Sequence, residues 1–575
     1  MMIFRTRVVR CALVLATVGA CQPASPPVLA PASKPQPATS VSSRVEPSVS
    51  SASAAISADF LRTRVSQLSA DEFEGRGPGT RGDLRARAYL EKQLAQLGVA
   101  PGSAAAGWEQ PVELVGLRAQ LPTTWRFERG ARTVSLALWE QYIAGSGVQS
   151  ATATIDQAEL VFVGYGIEAP EYGWDDFKGQ SVKGKVLLVL NNDPDWDPAI
   201  FAGKTRLYYG RWSYKYENAA RHGAAGAIIV HTTPSAGYPF QVVQSSWGGE
   251  QFALPNDGPT SLNVKAWVTE EAARSLVALS GKSLAELQEL SRSRAFAPVR
   301  LGIKTSLHFS NQVERVKTAN IIGKIAGSDP RLSSEYVVLS AHHDHLGIGK
   351  PDATGDAIYN GALDNGAGLA QVLAIVKAFK SLASAQRRSL FVLFPAAEES
   401  GLLGSQYFTE HLPVAAGNIA ANINYDGGNI WGRSRDITQI GKGKSSLDAI
   451  VARVAARLER TIKDDQFPDR GTFYRSDQFN FAKIGVPALY LKTGTNFIGR
   501  PADWGKEQIL AFEAQRYHQP SDQLSPEWNF DGMVEDARFG FLAALEIANA
   551  DHSPSWTPGD EFEAARRAAL SAIAH

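Results

Sequence analysis

EYVVLSAHHDHLG (335–347) is the stretch whose reading decides the fold. EYVVLSA is a short, apolar, β-branched run that reads as a buried strand. His342, His343, Asp344 and His345 follow it at once. In open α/β sheets ligands gather at the carboxyl edge of the strands. Taken alone, SAHHDHLG is equally a solvated polar turn, so the surrounding chain has to decide.

Downstream, strands and helices alternate. The helix GLAQVLAIVKAFKSL (368–382) follows EYVVLSA, then the strand SLFVLFPA (389–396) and a helix around GLLGSQYFTEHL (401–412). NIAANINYD (418–426), the helix SSLDAIVARVAARLER (445–460) and the strand VPALYLKT (486–493) continue the series. This pattern predicts an α/β fold with a mainly parallel sheet sandwiched by helices. Upstream, AELVFVGYGI (158–167) and VKGKVLLVLNND (182–193) read as strands, and YENAARHGAAGAIIVH (216–231) as a helix leading into another. Residues 150–300 therefore read as a compact β-rich module inserted between residues 56–149 and 301–575. In the first part, ISADFLRTRVSQLSADEFEGR predicts a short helix. Leu84, Ala88, Leu90, Leu94 and Leu97 then mark the apolar face of a second, which Gly98 stops.

Lys plus Arg and Asp plus Glu are equal at 58 each, and no basic run carries interleaved aromatics, which argues against a nucleic-acid partner. The N-terminus places Arg5, Arg7 and Arg10 before CALVLATVGA, an apolar run too short to span a bilayer, in the layout of an export signal (1–21). Val18-Gly19-Ala20-Cys21 resembles a lipobox, with Cys21 as the lipidated residue; a plain signal peptide cleaved nearby is the alternative. The expected location is periplasmic, with membrane contact only through that anchor. Cys11 and Cys21 are the only cysteines, so a mature chain would hold no intramolecular disulfide. Residues 22–55, rich in Pro, Ala and Ser, read as a disordered tether. The oligomeric state is not legible.

Acidic and imidazole residues recur just past the strands: His342 and Asp344, Asp364 before a helix, Glu398 and Glu399, Asp426, and His518 in RYHQPSD. Singly each is a cap, a surface loop or a surface histidine. Together, five loops offer ligands to one edge. Two divalent ions bring four charges; Asp364, Glu399 and Asp426 cancel three and a bound hydroxide the fourth. Histidine with carboxylate suits zinc, a metal pair activates water and polarises a carbonyl, and Glu398 is left as general base.

The motifs AHHDH, LDNGAG, AAEESGLLGS, NYDGG and YHQPSD occur in the order found in the di-zinc exopeptidases of the bacterial leucyl aminopeptidase and glutamate carboxypeptidase superfamily, which the chain resembles. The resemblance implies two zinc ions bridged by Asp364. His342 and Asp426 would complete one set of ligands, Glu399 and His518 the other. It implies Asp344 as the partner that orients His342, Glu398 as base, and Tyr517 as stabiliser of the tetrahedral oxyanion; His343 and His345 receive no metal role. LSADEFEGRGPGTRG looks like the opening of the catalytic domain, and 150–300 like a protease-associated (PA) domain. The implied activity is an aminopeptidase acting on peptides through a metal-bridging hydroxide, with a carboxypeptidase or dipeptidase as the alternative. Gln478 and Asn496-Phe497 depart from the family pattern and are expected to line the substrate pocket. Arg433, Arg435, Arg475 and Arg500 are the loop arginines available to a carboxylate. Aminoacylase-type relatives place their insert between later ligands, and glutaminyl cyclases lack the PA insert. A non-catalytic receptor, as in the transferrin receptor, has no chemical reason to keep the ligand set.

Overall fold

The computed structural model describes residues 47–102, 107–197, 200–255 and 262–573. Residues 45–575 form one compact unit, to which everything below refers. The signal-like segment, Cys21 and the tether as far as residue 46 lie outside the described residues. Among those described, no helix is long and apolar enough to cross a membrane.

Order begins earlier than the composition suggests. Pro47–Ala54 is a helix inside the segment read as tether. Ala52 and Ile56 are fully buried, and Arg538 donates to the carbonyls of Ser53 and Ile56. Small side chains let this helix sit flat on the core, which a composition-based reading of disorder cannot detect.

Helices α1 (Ala58–Leu68) and α2 (Arg81–Gln96) follow, capped by Ser57 and Thr80. The buried face of α2 is rotated from the expected one: Leu84 is 56% exposed and Ala88 also faces solvent, whereas Asp83 and Arg87 are buried beside Ala86, Leu90 and Leu94. Asp83 accepts from Arg87 (3.2 Å) and faces His343 Nε2 at 3.0 Å. Electrostatic pairing with the His342–His345 loop, rather than hydrophobicity, sets the face.

Strand β1 (Glu109–Gln120) leads to the insert, whose strands β2 (Thr152–Phe162), β3 (Val186–Leu190), β4 (Gly226–His231) and β5 (Val264–Thr269) pair in parallel in the order β2-β3-β4-β5. Helix α3 (Phe240–Trp247) lies between β4 and β5 in the chain. The insert's core also takes in Trp125, Phe127, Leu136, Tyr142 and Phe309, on either side of the 150–300 span.

One strand of 27 residues, β6 (Val299–Ile325), leaves the insert and enters the main mixed sheet. Its first half pairs with β2 and its second with β1, and its last residues pair antiparallel with β8 (Ser389–Phe394). Beyond β8 come β7 (Tyr336–Ser340), β9 (Ile419–Asn424) and β11 (Ala488–Thr493), all parallel, and then antiparallel β10 (Asp436–Ile440). The expected sandwiched, mainly parallel sheet is therefore present. β7, β8 and β9 are buried along their whole length, as strands covered on both faces must be. Helices α4 (Gly368–Lys380), α5 (Leu447–Arg457), α6 (Trp504–Gln515) and α7 (Asp531–Asn549) complete the layers, and α4 packs on α7.

Candidate active site

The carboxyl ends of β7, β8 and β9 converge. His342 Nε2 lies 3.3 Å from Asp364 Oδ1 and 4.0 Å from both Glu398 Oε2 and Asp426 Oδ1. His518 Nε2 lies 3.2 Å from Asp364 Oδ2 and 3.0 Å from Glu399 Oε2. Asp364 thus stands between the two imidazoles with one oxygen toward each. The structure brings all five expected ligands and Glu398 into one cluster.

Local backbone arranges this. Asp364 precedes α4, and Asp522 accepts from the amides of Leu363 and Asp364 (both 3.0 Å) to fix that turn. Ala397, just before Glu398, and His518 itself hold left-handed φ angles of +52° and +56°. Such conformations cost about 1–3 kcal/mol each in non-glycine residues and persist only where the surroundings enforce them.

Asp344 takes a broader part than orienting His342. Its carboxylate is 3.7 Å from His342 Nδ1, while its oxygens accept from the amides of Glu398 (3.0 Å) and Glu399 (3.3 Å). His342 Nδ1 instead faces the Asp344 carbonyl at 3.3 Å. One buried aspartate therefore holds the glutamate pair as well as the histidine loop.

Several contributors had escaped the sequence reading. His345 Nδ1 is 2.6 Å from Glu399 Oε1, and with Asp364 and Glu399 it forms a second cluster of close donors beside His342, Glu398 and Asp426. Arg76, fully buried, donates to the carbonyls of Leu68, His343, Asn360 and Gly361. Ser246, on α3 of the insert, has its Oγ 2.8 Å from His518 Nδ1. Asp522, His345 and Arg76 lie inside the motifs YHQPSD, AHHDH and LSADEFEGRGPGTRG, whereas Ser246 comes from the insert with no local signal. His343 faces Asp83 and the Phe394 carbonyl, away from the ligands.

The cluster is strongly negative. Burial works against charged imidazoles, yet Glu398 and Asp364 hold His342 well above its ordinary pKa. Burial likewise opposes His518, but Glu399 and Asp364 raise it to about 10. Burial, reinforced by Glu399 and Asp426, pushes Glu398 well above the carboxylate range. Glu399 is the converse: His518 and His345 overcome its burial and lower it to about 2. Among the described residues, the buried Nε2 atoms of His342 and His518, like that of His345, have no hydrogen-bond partner. Two orphaned imidazole nitrogens aimed at carboxylate oxygens 3–4 Å away are a donor set suited to cations such as zinc.

Two cavities open from the cluster. One of about 220 Å³ borders Asp364 and Asp426 and is walled by Leu363, Trp431, Ile440, Phe467, Ile509 and Phe512. The other, of about 80 Å³, lies between the insert and Glu398, Glu399 and His518. It contains Arg211, which lies over the Trp212 ring, and Arg475, which lies over the Tyr238 ring. Tyr238 and Tyr517 border both. Of the loop arginines singled out earlier, Arg475 reaches the site; Arg433 pairs with Glu535, Arg500 lies over Trp504, and Arg435 is exposed. Gln478 and Asn496-Phe497 line neither cavity. Gln478 is buried, bonded to Asn424 and the Phe473 carbonyl, and Phe497 is buried against Trp431 and Trp504.

A buried cluster of carboxylates and two free imidazole nitrogens, at the carboxyl edge of a mainly parallel sheet, defines the class of metallohydrolase-like α/β proteins. Residues 320–539 match Peptidase family M28, and residues 156–261, ahead of them in the chain, match the PA domain. It is 26% identical to a probable leucine aminopeptidase 2 of Aspergillus oryzae over 380 residues, 64% of this chain and 63% of that one. A probable leucine aminopeptidase 2 of Aspergillus fumigatus is also 26% identical, over 63% of this chain and 66% of its own. The chain thus spans just under two thirds of these fungal relatives. The fold matches that of an aminopeptidase from Aneurinibacillus sp. strain AM-1 with a TM-score of 0.53 at 17% identity, covering 88% of this chain and 97% of the other.

Proposed function

We propose that the protein is a zinc-dependent exopeptidase, and specifically an aminopeptidase. The carrying observation is the placement of Asp364 between His342 and His518, with Glu398, Glu399 and Asp426 around it, at the mouth of a cavity with room for one side chain. His342 and Asp426 would hold one zinc ion, Glu399 and His518 a second, and Asp364 would bridge them. Bound there, the cations would polarise the scissile carbonyl and acidify water. Glu398 accepts the proton of the attacking water and returns it to the leaving amine. The Tyr517 hydroxyl donates to the developing oxyanion, and Asp344 keeps Glu398 and Glu399 in register through their amides. The apolar walls of the larger cavity fit an aliphatic or aromatic terminal residue, consistent with the names of the fungal relatives.

The second cavity favours one further reading. Arg211, whose pKa burial and the neighbouring Arg475 charge lower, and Arg475 suit a substrate carboxylate one residue beyond the cleaved bond. That reading makes the enzyme a dipeptidase or carboxypeptidase. Zinc-loaded protein lacking residues 1–46, which keeps the Pro47–Ala54 helix, should be incubated with a peptide library, half of it N-acetylated, and the products read by mass spectrometry. Stepwise loss of N-terminal residues from free peptides alone is expected. Trimming from the carboxyl end in both halves selects the alternative, and no cleavage in either rejects both in favour of a binding protein. We further propose export and lipid anchoring through Cys21. Metabolic labelling with a fatty-acid analogue should mark the native chain and leave C21A unlabelled.

A further inference from the structure

Ser246, a side chain of the PA-type insert, reaches a candidate ligand directly. Helix α3 is fixed within the insert: Val242 and Val243 are buried, Trp247 packs on Trp212, Tyr216 and Trp267, and Gln244 donates to the Trp139 carbonyl. Gln251 donates to the carbonyl of Ser246 itself (3.0 Å). The Ser246 hydroxyl therefore has a position set by the insert, and that position is 2.8 Å from His518 Nδ1. The opposite ring nitrogen, Nε2, is buried, lacks a hydrogen-bond partner and points at Asp364 and Glu399.

A histidine that offers its Nε2 lone pair to a cation must carry its proton on Nδ1, and that proton needs an acceptor. Ser246 Oγ is the acceptor the fold supplies. We propose that Ser246 is a positioning residue for His518: the insert fixes the tautomer and orientation of this imidazole and so completes the cation site. The inference rests on the metal-binding reading above. It makes the insert part of the centre rather than a wall beside it.

The test is cation affinity, measured apart from turnover. Zinc binding to the folded, metal-stripped protein is followed by competition with a chromophoric chelator. S246A should weaken one zinc equivalent by about 10- to 100-fold and leave the other within twofold, the usual effect of losing a partner of a metal-binding histidine. S246T, which keeps the hydroxyl, should recover most of the loss. Cobalt-loaded S246A should also change its visible absorption, as a displaced imidazole requires. Unchanged affinity in S246A overturns the assignment. So does equal weakening of both equivalents, or failure of S246T to recover, since either reports lost docking of the insert. If the unaltered chain binds no zinc, the functional reading falls and this assignment with it, a result distinct from normal binding by S246A.

Discussion

Arg76 makes a quantitative case. Its guanidinium donates through Nε to the His343 carbonyl (2.9 Å), through Nη1 to Leu68 and Asn360 (2.7 Å to the latter), and through Nη2 to Gly361 (2.9 Å). It faces Asp344, Asp522, Asp364 and Glu399 electrostatically, and burial lowers its pKa to about 10. One side chain thus ties the N-terminal turn to both ligand loops. In R76K the positive charge stays, but an ammonium is a point donor and cannot span four carbonyls spread around a planar fork. If it reaches two, the other two are stranded in a buried site at about 1–3 kcal/mol each, for a loss of about 4 kcal/mol. That lies at the large end of single-residue effects. Equilibrium urea unfolding of metal-free protein, followed by tryptophan fluorescence, reads it directly. A loss below about 1 kcal/mol would refute the reasoning, because it would mean that the loops are held without these four bonds.

Other consequences are open to simpler assays. His231 is buried in the insert with Nε2 3.1 Å from the Tyr238 carbonyl, and burial lowers its pKa from 6.5 to about 4. The unfolded chain takes up this proton first as pH falls, so stability is complete above pH 6.5 and about 3 kcal/mol is lost on approach to pH 4. H231F should flatten that limb of the stability profile, and an unchanged limb would assign it elsewhere. Stripping with a zinc chelator should abolish hydrolysis and added zinc restore it. E398Q should retain its zinc, measured by elemental analysis, while losing about 10²- to 10⁴-fold in kcat. R211A and R475A should raise KM about 10- to 100-fold for substrates with a free carboxylate beside the cleaved bond and leave their amides unaffected; equal effects on both would remove the carboxylate subsite.

The sheet and the cluster were legible because both follow local rules. Fully apolar runs such as SLFVLF fix the strands and with them the residues just past their ends, so the clustering of His342, Glu398, Glu399 and Asp426 could be expected from spacing. What escaped depended on distant partners. Asp83 and Arg87 turned α2 away from its most hydrophobic face because His343 waits across the interface. Arg211 and Ser246 lie in a segment with no ligand-like cluster of its own and matter only through where the insert docks. The helix Pro47–Ala54 was hidden by a composition of small residues that equally suits a linker.

β6 changes what kind of object the insert is. At roughly 3.3 Å per residue its 27 residues extend for up to about 90 Å. Ser310 belongs to both ladders at once, opposite Thr152 of the insert and Gln120 of β1. A module on a linker swivels; one that shares a girder does not. Swinging the insert away from His518 would mean tearing a ladder rather than bending a hinge. A shared strand of this kind opposes a clamshell opening between the insert and the site. The same girder makes the insert hard to graft: a replacement module must arrive with matching strand register, or the catalytic sheet loses an edge along with its wall.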